Sequence, residues 1–188
     1  MTRGANPSDS DQDWADFWIN LWPAWRRVLA GTESSTPPPA DPILGRRRLT
    51  TDYTWVGTFE PVRYLTAVTQ ALLWDENGMD LRPLTGRRWE LLLLGGPAVV
   101  DIGELSGTPV DHLILTVVDV RDPARLRELP GLRSLTLTHG DFGELPPLDH
   151  LTELHTYGQV TVDTTHNPSL RVTHHDEIYL PPFGPADV

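Results

Sequence analysis

The chain lacks cysteine and lysine altogether; all 15 of its basic residues are arginine. Without cysteine there is no disulfide framework, no thiolate metal site and no cysteine nucleophile. Without lysine there is no Schiff base and no phosphate-gripping lysine of the P-loop kind. No stretch approaches the ~20 apolar residues of a membrane-spanning helix. The opening residues, MTRGANPSDSDQD, are polar and hold no apolar signal segment, so the expectation is a soluble cytoplasmic protein. The exclusive use of arginine, with frequent Ala, Pro, Asp and Gly, reads as the imprint of a GC-rich bacterial genome.

Carboxylates are abundant, and the formal net charge is −11. They crowd the C-terminal part: residues 141–188 hold Asp141, Glu144, Asp149, Glu153, Asp163, Asp176, Glu177 and Asp187 against Arg171 alone. Such a surface repels nucleic-acid phosphates, favours solubility and attracts a cationic partner. The one basic run, Arg46-Arg47-Arg48, reads as a patch at a linker edge.

The chain divides into five parts. Residues 1–11 are expected to be disordered. Residues 12–30, DWADFWINLWPAWRRVLAG, carry Trp14, Phe17, Trp18, Leu21, Trp22, Trp25, Val28 and Leu29 as one apolar helical stripe. Pro23 removes a backbone donor within it, which predicts a kink or two short helices. Residues 31–42 form a Pro-rich linker. Residues 43–88 read as an α/β N-terminal cap, with a strand over 49–56 and a helix over 61–74 opened by Pro61. Asp75-Glu76 would be a solvated helix end.

Residues 89–188 contain a repeat. Leu126, Leu129, Leu132 and Leu135 recur 19 residues later as Leu145, Leu148, Leu151 and Leu154. Periodicity of this length marks units that bury their apolar edges against one another. The better-formed unit, Leu132-x-x-Leu135-x-Leu137-x-x-Gly140-x-Phe142, resembles the leucine-rich repeat, L-x-x-L-x-L-x-x-N-x-L. Units can be threaded from Trp89 (with Leu92, Leu94, Val99), Val110 (with Leu113, Leu115, Val120), Leu132, Leu151 (with Leu154, Thr156) and Asn167 (with Leu170, Val172). The resemblance implies a short α/β solenoid of parallel strands behind an N-terminal strand–helix cap. One departure stands out. The family's asparagine position is occupied by Pro97, Val118, Gly140, Gln159 and His175, so no asparagine ladder forms.

Ligands of leucine-rich repeats usually meet the strand face. Carried over position by position, that face implies partner binding through His112, Arg133, Thr136, Glu153, His155, Tyr157 and Arg171. Tyr and Arg are common interface anchors. His139 and His174 fall at strand ends. His174-His175-Asp176-Glu177 holds zinc-ligand types, but adjacent strand residues point to opposite faces, so no metal site is expected. No GxSxG, GxGxxG, HExxH or Walker-type motif occurs, and neither catalytic residue nor cofactor is assigned.

The resulting expectation is a non-enzymatic protein-binding module, whose partner is another protein with a cationic surface as one option. Two alternatives stand beside it. One is an immunity-type inhibitor of a basic toxin or effector; the other is a hydrolase using His and carboxylate residues of the C-terminal half. The Trp-rich helix either packs on its own domain or docks on a partner.

Overall fold

The computed structural model describes residues 11–51, 55–97 and 99–176. The expected disordered N-terminus therefore lies outside the described residues except for Asp11. Among the described residues, nine strands follow three α-helices: β1 (Arg48–Thr50), β2 (Gln70–Trp74), β3 (Leu91–Gly95), β4 (Val99–Asp101), β5 (His112–Thr116), β6 (Asp119–Arg121), β7 (Ser134–Glu144), β8 (Glu153–Asp163) and β9 (Arg171–His175). Seven of them form one sheet in the order β1-β2-β3-β5-β7-β8-β9, and β4 pairs with β6 in a second, two-stranded sheet. Every pairing is parallel. Parallel neighbours need a crossover. Here 3₁₀ turns at Glu60–Tyr64, Arg82–Leu84, Ile102–Leu105 and Pro123–Glu128 carry the chain back between successive strands.

Alternation within each strand sorts the side chains. Leu49, Ala71, Leu92, Leu113, Leu135, Leu154 and Val172 stand in register across the sheet and face the core. A second inward row runs Leu73, Leu94, Leu115, Leu137, Thr156, His174. Leucines of successive passes thus touch one another, and the interior is a single cluster from Trp14 to Leu154. The row opens to solvent at the β9 edge, where Val172 is 36% exposed.

The structure corrects several sequence expectations. No helix spans 61–74: a single 3₁₀ turn at Glu60–Tyr64 gives way to β2 at Gln70–Trp74. Val62, Leu65 and Val68 are buried as a helix face would be, but Ala71 and Leu73 are buried while Leu72 is not, which is a period of two. Tertiary pairing of β2 with both β1 and β3 decides between the overlapping periods. The repeat accordingly starts earlier than the leucines show: Val68, Ala71 and Leu73 occupy the places of Trp89, Leu92 and Leu94, with alanine hiding the match.

The second correction concerns the unit from Trp89, where Val100 and not Val99 turns inward; Val99 is 46% exposed. The third concerns the last unit, in which Val172 rather than Leu170 pairs with Leu154. Asn167 does not open a strand there. It is buried, its Oδ1 accepting from the Leu148 N–H (2.8 Å) and its Nδ2 donating to the Pro146 carbonyl (2.9 Å). One asparagine thus satisfies two backbone groups of the neighbouring pass.

Where the family pattern would use its asparagine ladder, this chain bends by backbone conformation. Gly96, Val117, His139 and Gly158, each just past the same sheet position, all have positive φ (120°, 60°, 53° and 69°). Valine there is strained, because its branched Cβ crowds the backbone in the left-handed region. Val117 is 45% exposed, so it loses little packing if replaced. Val117→Asn, which tolerates this conformation, is expected to raise the denaturant midpoint, by an amount equivalent to about 1 kcal/mol. An unchanged or lower midpoint would show that the strain is absent.

At the other end, α1 (Asp11–Asn20) and α2 (Pro23–Ala30) are separate helices, and α3 (Asp41–Leu44) follows. Trp14, Trp18 and Trp25 are buried, and each indole N–H finds a carbonyl: Pro38 (2.7 Å), Ser34 (3.1 Å) and Thr58 (2.6 Å). The first two bonds strap the Pro-rich segment to α1. The arginine run is also consumed internally: Arg46 donates to the Leu29 carbonyl (2.8 Å), Arg47 pairs with Glu90 (2.7 Å) and Arg48 donates to Gln70 (3.1 Å). Asp75 directly follows β2 rather than ending a helix; it is buried and accepts from the Asn77 N–H (2.8 Å).

Candidate functional site

The outer face of the sheet carries three rows. One runs His112, Ser134, Glu153, Arg171; the next Ile114, Thr136, His155, Thr173; the third Thr116, Thr138, Tyr157, His175. The face changes character along the sheet. On β3 and β5 it is apolar, with Leu93 and Ile114 each only 6% exposed yet outside the core cluster. On β8 and β9 it is polar and aromatic. The sequence Glu153-Leu154-His155-Thr156-Tyr157 produces this by strict alternation, the two even members facing inward.

The polar end is locally ordered. Arg171 pairs with Glu153, whose other oxygen meets His155 Nε2 at 3.5 Å. His155 Nδ1 lies 3.4 Å from His175 Nε2. A neutral His155 satisfies both contacts with its proton on Nε2 toward Glu153 and its Nδ1 accepting from His175. The His175 ring stacks on Tyr157 at 4.2 Å with 8° between planes. The hydrogen bond from His155, then the charge of Arg171, hold the Glu153 carboxyl below the usual carboxylate range. Because the array stays partly exposed, this arrangement orients side chains more than it stabilises the fold.

Of the residues singled out in the sequence, the structure brings Glu153, His155, Tyr157 and Arg171 together. Thr136 flanks His155 in the same row. His112 is exposed in the row of Glu153, with β7 between them. Arg133 stands apart: it precedes β7, and its backbone carbonyl accepts from the N–H groups of Thr152 (2.9 Å) and Glu153 (3.1 Å). Sequence reasoning misses His175 as a face residue, because the repeat gives it the asparagine position. The parity of Arg171 and Thr173 was the signal that assigns it to the outer face.

No protein-family model matches the chain, and no curated protein matches it. Among solved structures it is similar to internalin C2 from Listeria monocytogenes, at 18% identity and a TM-score of 0.34, covering 85% of this chain and 92% of that one. A superposition this loose carries no weight for function.

Several C-terminal carboxylates have local work. Asp141 and Asp163 each accept from the backbone N–H two residues on (3.0 and 2.8 Å), closing turns. Glu144 pairs with His166. His174 points inward, opposite to His175, and bonds Thr156. Among the described residues no three His, Asp or Glu side chains are grouped to hold a metal ion, and no helix is long and apolar enough to cross a membrane.

Proposed function

We propose that this chain is a leucine-rich-repeat-like solenoid that binds a protein partner through the outer face of its C-terminal strands, without chemistry of its own. The observation that carries this reading is the Glu153–His155–Tyr157 and Arg171–His175 array. Its aromatic, basic and acidic groups are partly exposed, adjacent and already oriented by one another. Binding then loses little side-chain entropy, and Tyr with Arg supplies the anchor types that dominate interfaces. His112 and Thr136 extend the surface toward β5. A partner with positive charge complements the acids that line this half of the chain.

The test is affinity capture from the native host on immobilised protein, with Tyr157→Ala/Arg171→Ala alongside wild type. A specific partner should be retained by wild type and lost from the double variant, whose melting curve is expected to stay unchanged because both side chains leave the core intact. A partner held equally by both proteins would remove the strand face from the interface.

A further inference from the structure

At the β1 end of the fold, α1, α2 and the segment 58–64 enclose a cleft of about 360 Å³. Its walls are aromatic, from Phe17, Trp22 and Tyr64, and its rim carries Asp13, Asp16 and Glu60; none of the residues lining it is basic. We propose that this cleft receives an arginine side chain presented by a partner protein. The proposal is independent of the strand face, which lies at the opposite end of the sheet.

The walls are built rather than incidental. Phe17 and Tyr64 meet edge to face with ring centroids 5.2 Å apart, and Trp22 meets Trp55 likewise at 5.8 Å and 82°. The Trp22 ring lies over Gly57, where a Cβ would come within 2.4 Å of it, so only glycine seats the ring there. Below it, the Trp25 indole N–H is bonded to the Thr58 carbonyl (2.6 Å) and fixes α2 against this segment. Yet Trp22 and Trp55 stay 50% and 48% exposed, while Trp14, Trp18 and Trp25 of the same region are buried. A pair of large aromatic faces held open to water marks a contact surface.

Charge selects the occupant. An apolar side chain filling the cleft would strip water from the exposed Asp16 and Glu60 carboxylates and add no charge to match theirs. A cation satisfies both walls and rim, because indole faces attract positive charge and carboxylates bond its N–H groups. Arginine fits better than lysine. Its guanidinium is planar, weakly hydrated, stacks on aromatic rings and bonds carboxylates in pairs. The chain's own Arg63 pairs with Glu60 at the rim (2.9 Å), and Gln12 donates to Asp16 (2.7 Å), so the rim already engages donors of this geometry. The volume suffices for one such side chain with part of the backbone bearing it.

The experiment uses the full chain and follows the tryptophan indole N–H signals by NMR. The probes are acetyl-Gly-Arg-Gly-amide and its citrulline and lysine counterparts. The arginine peptide should give a saturable shift that weakens as salt rises. The citrulline peptide, similar in shape but uncharged, should bind at least tenfold more weakly. Trp22→Ala should weaken arginine binding at least tenfold, and Asp16→Asn and Glu60→Gln severalfold each. Should Trp22→Ala lower the melting temperature, the two carboxylate variants decide, since both positions are exposed. Absence of a saturable shift, equal binding of citrulline, or carboxylate variants that bind like wild type would overturn the proposal. A lysine peptide binding as tightly as arginine would overturn its selectivity.

Discussion

Leu154→Ala is expected to destabilise the protein by about 2–5 kcal/mol, the usual cost of a cavity left by a buried leucine. Leu154 is fully buried and registered between Leu135 on β7 and Val172 on β9. Its loss therefore opens a gap between two passes of the chain at once. Leu135→Ala should cost a similar amount, since Leu135 is equally buried between Leu113 and Leu154. The double variant should lose less than the sum, because the two cavities share a wall. His155→Ala, one residue away on the outer face, is the control and should fall within about 0.5 kcal/mol of wild type. Denaturant unfolding measures all four. Leucine variants that unfold at the wild-type midpoint would contradict the inward row.

Trp25→Ala should be comparably severe, at about 3–5 kcal/mol. The side chain is completely buried, and its indole N–H is the donor to the Thr58 carbonyl at 2.6 Å. Truncation removes a large apolar ring, leaves that carbonyl without its donor and releases α2 from the segment beneath it. For a domain of this size each kcal/mol shifts the melting temperature by roughly 2–4 °C, so a fall of about 6–20 °C is expected in a thermal melt. A melting temperature within a degree or two of wild type would mean that the helices rest loosely on the sheet. Of the two sequence options for the Trp-rich region, this places Trp14, Trp18 and Trp25 in the protein's own core and leaves Trp22 outward.

Which side chains share a strand face is legible in the sequence where alternation is clean. Glu153, His155 and Tyr157 are separated by Leu154 and Thr156, so the pleat alone puts the first three on one side. Failure came where a spacing admits two periods. Val62, Leu65, Val68 and Leu72 satisfy a helix, and the same stretch satisfies a turn followed by a strand; the choice rests on whether β1 and β3 stand on either side. The last unit slipped for a related reason. Leu170 and Val172 look like a leucine pair, but hydrogen bonds from Asn167 to the preceding loop fix where β9 begins.

The sequence by itself determined the chemical exclusions that follow from lacking cysteine and lysine, the repeat of leucines, and which side chains share a face within each strand. These are local facts, set by composition and by the two-residue pleat. Only the tertiary structure decided the register between strands, the stacking of His175 on Tyr157, and the separation of buried from open tryptophans. All three depend on groups distant in sequence that compete for the same space, carbonyl or charge. Trp22 and Trp25 lie in one helical stripe, and what divides them is the Thr58 carbonyl beneath one and the bare backbone of Gly57 beneath the other.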